Sequence, residues 1–277
     1  MEENVQMAFI LTILAGLATG IGSIIAFFVK ERSTKILTFA MGFAAGVMLY
    51  VSFIEIFPEA ILKLTEAYEG NEQTGTYYGV IAFFTGMFIV GMIDKLIPNA
   101  ENPHEFANTQ FKKQEQKKEG SLEIQNPQKL MRVGILTALA LAIHNFPEGI
   151  ATFVAALDDP KLGITIATAI AIHNIPEGIA VSMPIFFATG DRKKAFTYSF
   201  LSGVVEPLGA ILGYFILMPY LTSTVMGLLL AGVAGVMVFI SLDQLLPAAE
   251  EYGEHHLSIY GVVLGMGVMA LSLIMMM

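Results

Sequence analysis

Eight times along its 277 residues the chain runs for about 20 residues or more with scarcely a charge. A helix needs roughly 20 apolar residues to cross the hydrocarbon core of a bilayer. The runs lie at about 7–29, 36–58, 77–99, 133–157, 162–188, 195–218, 222–248 and 257–277, and are called spans 1 to 8. Backbone groups in lipid find no water, so such segments must close their hydrogen bonds internally. The expected fold is therefore all-α: a polytopic bundle of eight transmembrane helices in the cell membrane. Composition agrees, with 55% hydrophobic and 14% charged residues, against about 25% charged in an ordinary soluble domain. A net charge of −9 gives no basic field for nucleic acid. The absence of cysteine excludes disulfides, thiolate metal sites and thiol nucleophiles. With no tryptophan, the interfacial belt falls to tyrosines such as Tyr50, Tyr77, Tyr78 and Tyr220.

The N-terminus is acidic, so the first apolar run reads as a retained span and not as a signal peptide. Twelve of the fifteen Lys and Arg residues fall on loops 1, 3 and 5, among them Lys30, Arg32, Lys112, Lys129, Arg132 and Arg192. The positive-inside rule then puts the odd loops in the cytoplasm and both termini outside. The longest loop, about 100–132, joins spans 3 and 4 and reads as a polar linker within one membrane domain of residues 1–277. Gly16/Gly20, Gly42/Gly46, Gly209/Gly213 and Gly261/Gly265 are GxxxG pairs that let helix backbones approach closely.

Span 4 contains His144-Asn145-Phe146-Pro147-Glu148-Gly149-Ile150-Ala151, and span 5 contains His173-Asn174-Ile175-Pro176-Glu177-Gly178-Ile179-Ala180. The two strings differ only at the third position. Span 6 adds Glu206-Pro207. Each of His144, His173 and Glu206 lies eleven residues into its span, a depth of about 16 Å at 1.5 Å per residue. Three consecutive crossings thus carry polar groups near the midplane. A charged residue there costs roughly 2.5–3.5 kcal/mol on insertion scales, so something must compensate.

The spacing favours a bound cation. His at i and Glu at i+4 share a helix face, and Asn at i+1 neighbours the same Glu. Each motif offers an imidazole, an amide oxygen and a carboxylate to one region. Pro147, Pro176 and Pro207 remove helix hydrogen bonds and predict broken helices lining a cavity. Nitrogen and oxygen donors without sulfur suit Zn²⁺, Fe²⁺, Mn²⁺ or Co²⁺ and not Cu⁺. Polar glue between helices is the competing reading, but the repeated, depth-matched constellation favours metal.

Other acidic groups are candidate pathway residues: Glu55 and Glu59 late in span 2, Asp94 ending span 3, and Asp243 ending span 7. Interfacial helix caps are an equal reading of them. Spans 2 and 7 share an acidic–Pro pattern while running in opposite directions, a hint of inverted repeats. Glu254, His255 and His256 read as a solvated turn, and His104 stands without informative context.

On the paired HNxPEG strings the chain resembles the ZIP (Zrt/Irt-like) family of metal-ion transporters, and most of all its bacterial zinc-uptake branch. The similarity covers nearly the whole chain. The resemblance implies two adjacent metal sites, one of His144, Glu148, His173 and Glu177, the other of Asn145, Glu148, Asn174, Glu177 and Glu206, with shared carboxylates bridging them. It further implies movement of divalent metal into the cytoplasm without ATP, no catalytic cofactor and no enzymatic activity. Many members carry a histidine cluster in loop 3, where this chain has only His104.

The absence of GxxxxGK[ST] agrees with gradient-driven transport. Partners expected are divalent metal ions, the lipid bilayer and a second copy in a homodimer, with no nucleic acid. Two other classes remain to be weighed: an intramembrane metalloprotease, for which the HExxH string is missing, and a bis-histidine haem carrier using His144 and His173.

Overall fold

The computed structural model describes residues 2–28, 33–96, 127–158, 160–220, 222–252 and 255–276. Lys30, Arg32, Lys112, His104, Glu254 and most of loop 3 lie outside the described residues. Among those described there is no strand, and eight helices are long and apolar enough to cross a membrane. Span 1 is Glu2–Phe28, span 3 Glu72–Leu96, span 4 Pro127–Asp158, span 5 Pro160–Thr189 and span 8 His255–Met276. Span 2 comprises Thr34–Val51, a π turn at Ser52–Ile56, and Phe57–Ala67. Span 6 runs as Arg192–Leu212, a π turn at Gly213–Leu217 and a single 3₁₀ turn at Met218–Tyr220. Span 7 is built like span 2: Ser223–Ile240, a π turn at Ser241–Leu245, and Leu246–Tyr252.

Spans 2 and 4 exceed the apolar runs that mark them, because charged residues at their ends find partners. Lys63 pairs with Glu59 one turn away at 3.1 Å. At the start of span 4, Arg132 donates to the carbonyl oxygen of Asp94 at 3.2 Å and to its carboxylate at 3.4 Å, and Lys129 pairs with Glu251.

The prolines correct the expectation of broken helices. Pro147, Pro176 and Pro207 all stand inside continuous α-helix. Neighbouring helices in a membrane bundle tolerate a missing N–H in this way. The helices instead widen elsewhere: the three π turns each end two residues before a proline, at Pro58, Pro219 and Pro247. A π turn makes room for the pyrrolidine ring, which clashes with the preceding turn of a regular α-helix. Glu55 and Asp243 lie within such turns, so neither sits at a helix end.

The spans sort into two bundles. Spans 1, 4, 5 and 6 pack on one another, and spans 2, 3, 7 and 8 form the second group; the bundles meet chiefly where span 5 touches span 2 and span 4 touches span 7. Glycines set the close approaches. A side chain at Gly42 or Gly46 would strike the backbone of span 8, and one at Gly261 or Gly265 that of span 2. Span 3 against span 7 repeats the arrangement through Gly86 and Gly235. Phe9, Phe153 and Tyr214 meet in tilted and edge-to-face contacts across spans 1, 4 and 6, with ring centroids 4.6 to 5.9 Å apart.

These pairings obey an inverted two-fold: span 1 corresponds to span 6, span 2 to span 7, span 3 to span 8, and span 4 to span 5. The sequence carries the same relation. Gly46-Val47-Met48, Ser52 and Pro58 of span 2 match Gly235-Val236-Met237, Ser241 and Pro247 of span 7. Ser52 donates to the Met48 carbonyl at 2.6 Å, as Ser241 does to that of Met237 at 2.8 Å.

Candidate metal centre

Helix spacing brings His144 and Glu148 to one face of span 4, and His173 and Glu177 to one face of span 5. The HNxPEG glycines let those faces close on their neighbours. Gly149 lies against the backbone carbonyl of Glu206 and Gly178 against that of Thr19, so any larger residue would force spans 4 and 6, or 5 and 1, apart. His144, Asn145, Glu148, His173, Asn174, Glu177 and Glu206 are all buried, five of them completely. These seven residues are the ones singled out from the sequence.

His173 Nε2 lies 2.9 Å from Glu148 Oε1. His144 Nε2 lies 3.1 Å from Glu148 Oε2 and 3.2 Å from Glu177 Oε1. Neither His144 contact is aligned as a hydrogen bond, and His144 Nε2, Glu148 Oε2 and both oxygens of Glu177 are buried without a hydrogen-bond partner. Apart from the His173–Glu148 pair, Lewis bases therefore converge without satisfying one another. Donor atoms of His144, His173 and Glu177 all fall within 4.8 Å of one another, the span of a metal's coordination shell. Both imidazoles reach the same Glu148 carboxylate, which leaves no gap for a macrocycle and disposes of the haem reading.

Glu206 continues the cluster on the span 6 side. Asn174 Nδ2 donates to Glu206 Oε2 at 2.7 Å and to the Ala15 carbonyl at 2.9 Å. Asn145 Nδ2 donates to the Ser202 carbonyl at 3.0 Å. With both amide nitrogens engaged by backbone, the two amide oxygens are turned free, and Asn145 Oδ1, Asn174 Oδ1 and Glu206 Oε1 have no partner. Leaving a buried polar atom unpaired costs about 1–3 kcal/mol. The arrangement is therefore an unfavourable core for a protein that binds nothing there, and a ready cage for a cation.

Of the remaining acidic candidates, Glu55 lies near enough to the cage to feel the charges of His173 and Glu148, and Glu59, Asp94 and Asp243 have partners of their own. Glu55 is half-buried, with Oε2 lacking a partner, whereas Glu59 is exposed and paired with Lys63. Asp94 bonds Arg132. Asp243 accepts from the neighbouring Gln244 at 2.8 Å. His255, exposed, lies 3.1 Å from Glu250.

Eight crossings around a buried cage of nitrogen and oxygen donors define an integral, multi-pass membrane protein equipped to hold a cation. A family model described as ZIP Zinc transporter matches residues 5–110 and 98–273. The chain is 56% identical over 275 residues to the zinc transporter ZupT of Streptococcus mutans, covering 99% of each. It is 60% identical over 274 residues to the zinc transporter ZupT of Oceanobacillus iheyensis, again covering 99% of each. Against the zinc transporter ZupT of Nitratidesulfovibrio vulgaris it is 58% identical over 279 residues, covering 99% of this chain and 98% of the other. The chain belongs to the ZIP zinc transporter family, and is a transporter and not an enzyme.

Beside this centre lies a buried hydroxyl that the sequence did not single out, Thr19, whose Oγ1 has no partner. Gly16-x-x-Thr19-x-x-Gly22 in span 1 matches Gly203-x-x-Glu206-x-x-Gly209 in span 6.

Proposed function

We propose that the protein carries zinc into the cytoplasm, without hydrolysing ATP, by exposing the His144, Asn145, Glu148, His173, Asn174, Glu177 and Glu206 cluster alternately to the two sides of the membrane. One observation carries this reading: imidazole and carboxylate lone pairs from spans 4 and 5 are gathered, buried and left unsatisfied. The names of the relatives supply the cargo. The donor set also accommodates Fe²⁺, Mn²⁺ and Co²⁺, which share its preference for imidazole and carboxylate. A site without thiolates holds a dication weakly enough to give it up. Metal binding releases protons from such ligands. The basic odd loops face the cytoplasm and both termini lie outside. Glu55 and Glu59 mark the outer approach, Asp94 and Asp243 the inner one. Two copies associate as a homodimer through their lipid-facing surfaces.

The test is metal-competition uptake in proteoliposomes, with and without an imposed pH gradient. Radioactive zinc accumulates through the wild-type protein, while Glu177→Ala, inserted at the same level, accumulates none. Undiminished uptake by that variant would falsify the site assignment.

A further inference from the structure

The inverted two-fold that relates span 1 to span 6 is obeyed atom by atom around the metal centre. Asn174 donates to Ala15 of span 1 as Asn145 donates to Ser202 of span 6. Gly178 packs on the Thr19 carbonyl as Gly149 packs on that of Glu206. Gly22 meets the Ile175 carbonyl as Gly209 meets that of Phe146. Gly16 faces the Cβ of Glu206, and Gly203 faces the Cβ of Thr19. Ala15, Thr19 and Gly22 thus hold the places of Ser202, Glu206 and Gly209.

The side chains break the symmetry. Glu206 reaches Asn174 with a carboxylate; its counterpart is a hydroxyl. A threonine in a membrane helix commonly bonds the carbonyl four residues back, as Thr12 bonds Ala8 at 2.9 Å in the same span. For Thr19 that carbonyl is Ala15, which already accepts from Asn174. Thr19 Oγ1 is left buried and without a partner, as is Asn145 Oδ1. Other buried hydroxyls lack partners too, but of these Thr19 alone occupies the counterpart of a metal-centre carboxylate.

From this juxtaposition we infer that Thr19 Oγ1 is a neutral oxygen ligand on the span 1 side of the metal pathway, so that the centre has a charged pole at Glu206 and Asn174 and an uncharged pole at Thr19 and Asn145. This rests on the metal-site reading above. The consequence is one of specificity and release: a neutral pole lowers the charge around the dication and lets it depart on that side.

The chain contains no cysteine, so Thr19→Cys places one thiol, close in size to the residue replaced, at the tested position. Titration of the full-length purified variant with Cd²⁺ reads a sulfur-to-cadmium charge-transfer band in the ultraviolet, alongside calorimetric binding. The band is expected in Thr19→Cys, absent from a lipid-facing control, Leu17→Cys, and lost when Glu177→Ala is added. In parallel, Thr19→Val raises the zinc Kd about 10-fold and Thr19→Ser restores it, with the melting temperature of both near wild type. Cadmium binding by Thr19→Cys without the band, together with wild-type zinc affinity in Thr19→Val, overturns the inference and leaves the His–Glu site standing. If the wild-type protein binds neither ion, the site reading itself has failed.

Discussion

The two bundles are alike in length and in glycine-mediated packing, yet they differ in what they bury. Spans 1, 4, 5 and 6 enclose two histidines, two asparagines and three glutamates at mid-depth. Spans 2, 3, 7 and 8 enclose apolar side chains, small hydroxyls and Gln244, with Glu55 half-buried. Burial of a charge is costly in a bilayer; on the function proposed here the bundle that concentrates charges offsets that cost with its cargo, and its partner serves as a frame. The helix irregularities do not follow the division: span 6 in the metal bundle also widens, at Gly213–Leu217 before Pro219. Spans 2 and 7 in the frame widen into π turns before Pro58 and Pro247, whereas spans 4 and 5 pass Pro147 and Pro176 as regular helix. Proline alone therefore does not decide where a membrane helix deforms; the packing around it does.

The contrast is sharpest at the cage carboxylates. Glu148→Gln keeps the volume but removes the charge that both imidazoles face, and zinc affinity measured by calorimetry falls by about 100-fold or more, above the 10- to 100-fold typical of losing a supporting residue. Asn174→Leu frees Glu206 from its amide and leaves the Ala15 carbonyl without its side-chain donor; affinity drops about 10-fold, with a measurable fall in melting temperature. At the seam between bundles, Arg132→Gln loses the ion pair with Asp94. Zinc Kd stays at its wild-type value while the uptake rate changes, and stability shifts by no more than about 1 kcal/mol, the scale of a partly exposed pair. On the frame's rim, Glu59→Gln breaks only the exposed contact with Lys63, and stability stays within about 0.5 kcal/mol. A large loss of zinc affinity on changing the rim or the seam would erase the distinction between the two bundles.

Much of this was legible in the residues. The eight crossings follow from run length, because lipid leaves the backbone no alternative to the helix. His144 to Gly149 and His173 to Gly178 announce the cage by repetition at matched depth. The cross-pairing was not legible: sequence spacing couples His144 to Glu148 and His173 to Glu177, but the nearest carboxylate to His173 is Glu148 of the neighbouring span. Periodicity speaks of one helix at a time, and contacts between helices depend on crossing geometry. The π turns were equally hidden, since they share the apolar composition of α-helix. Thr19 was hidden by its ordinariness; only its correspondence to Glu206 distinguishes it from other buried hydroxyls.

X-ray absorption at the zinc edge of the loaded, purified protein addresses the metal centre most directly. The predicted spectrum shows a nitrogen and oxygen shell with imidazole scattering, which disappears when His144 and His173 are both replaced by alanine. A spectrum without imidazole, or one unchanged in the double variant, would contradict the assignment of zinc to the cage between spans 4 and 5.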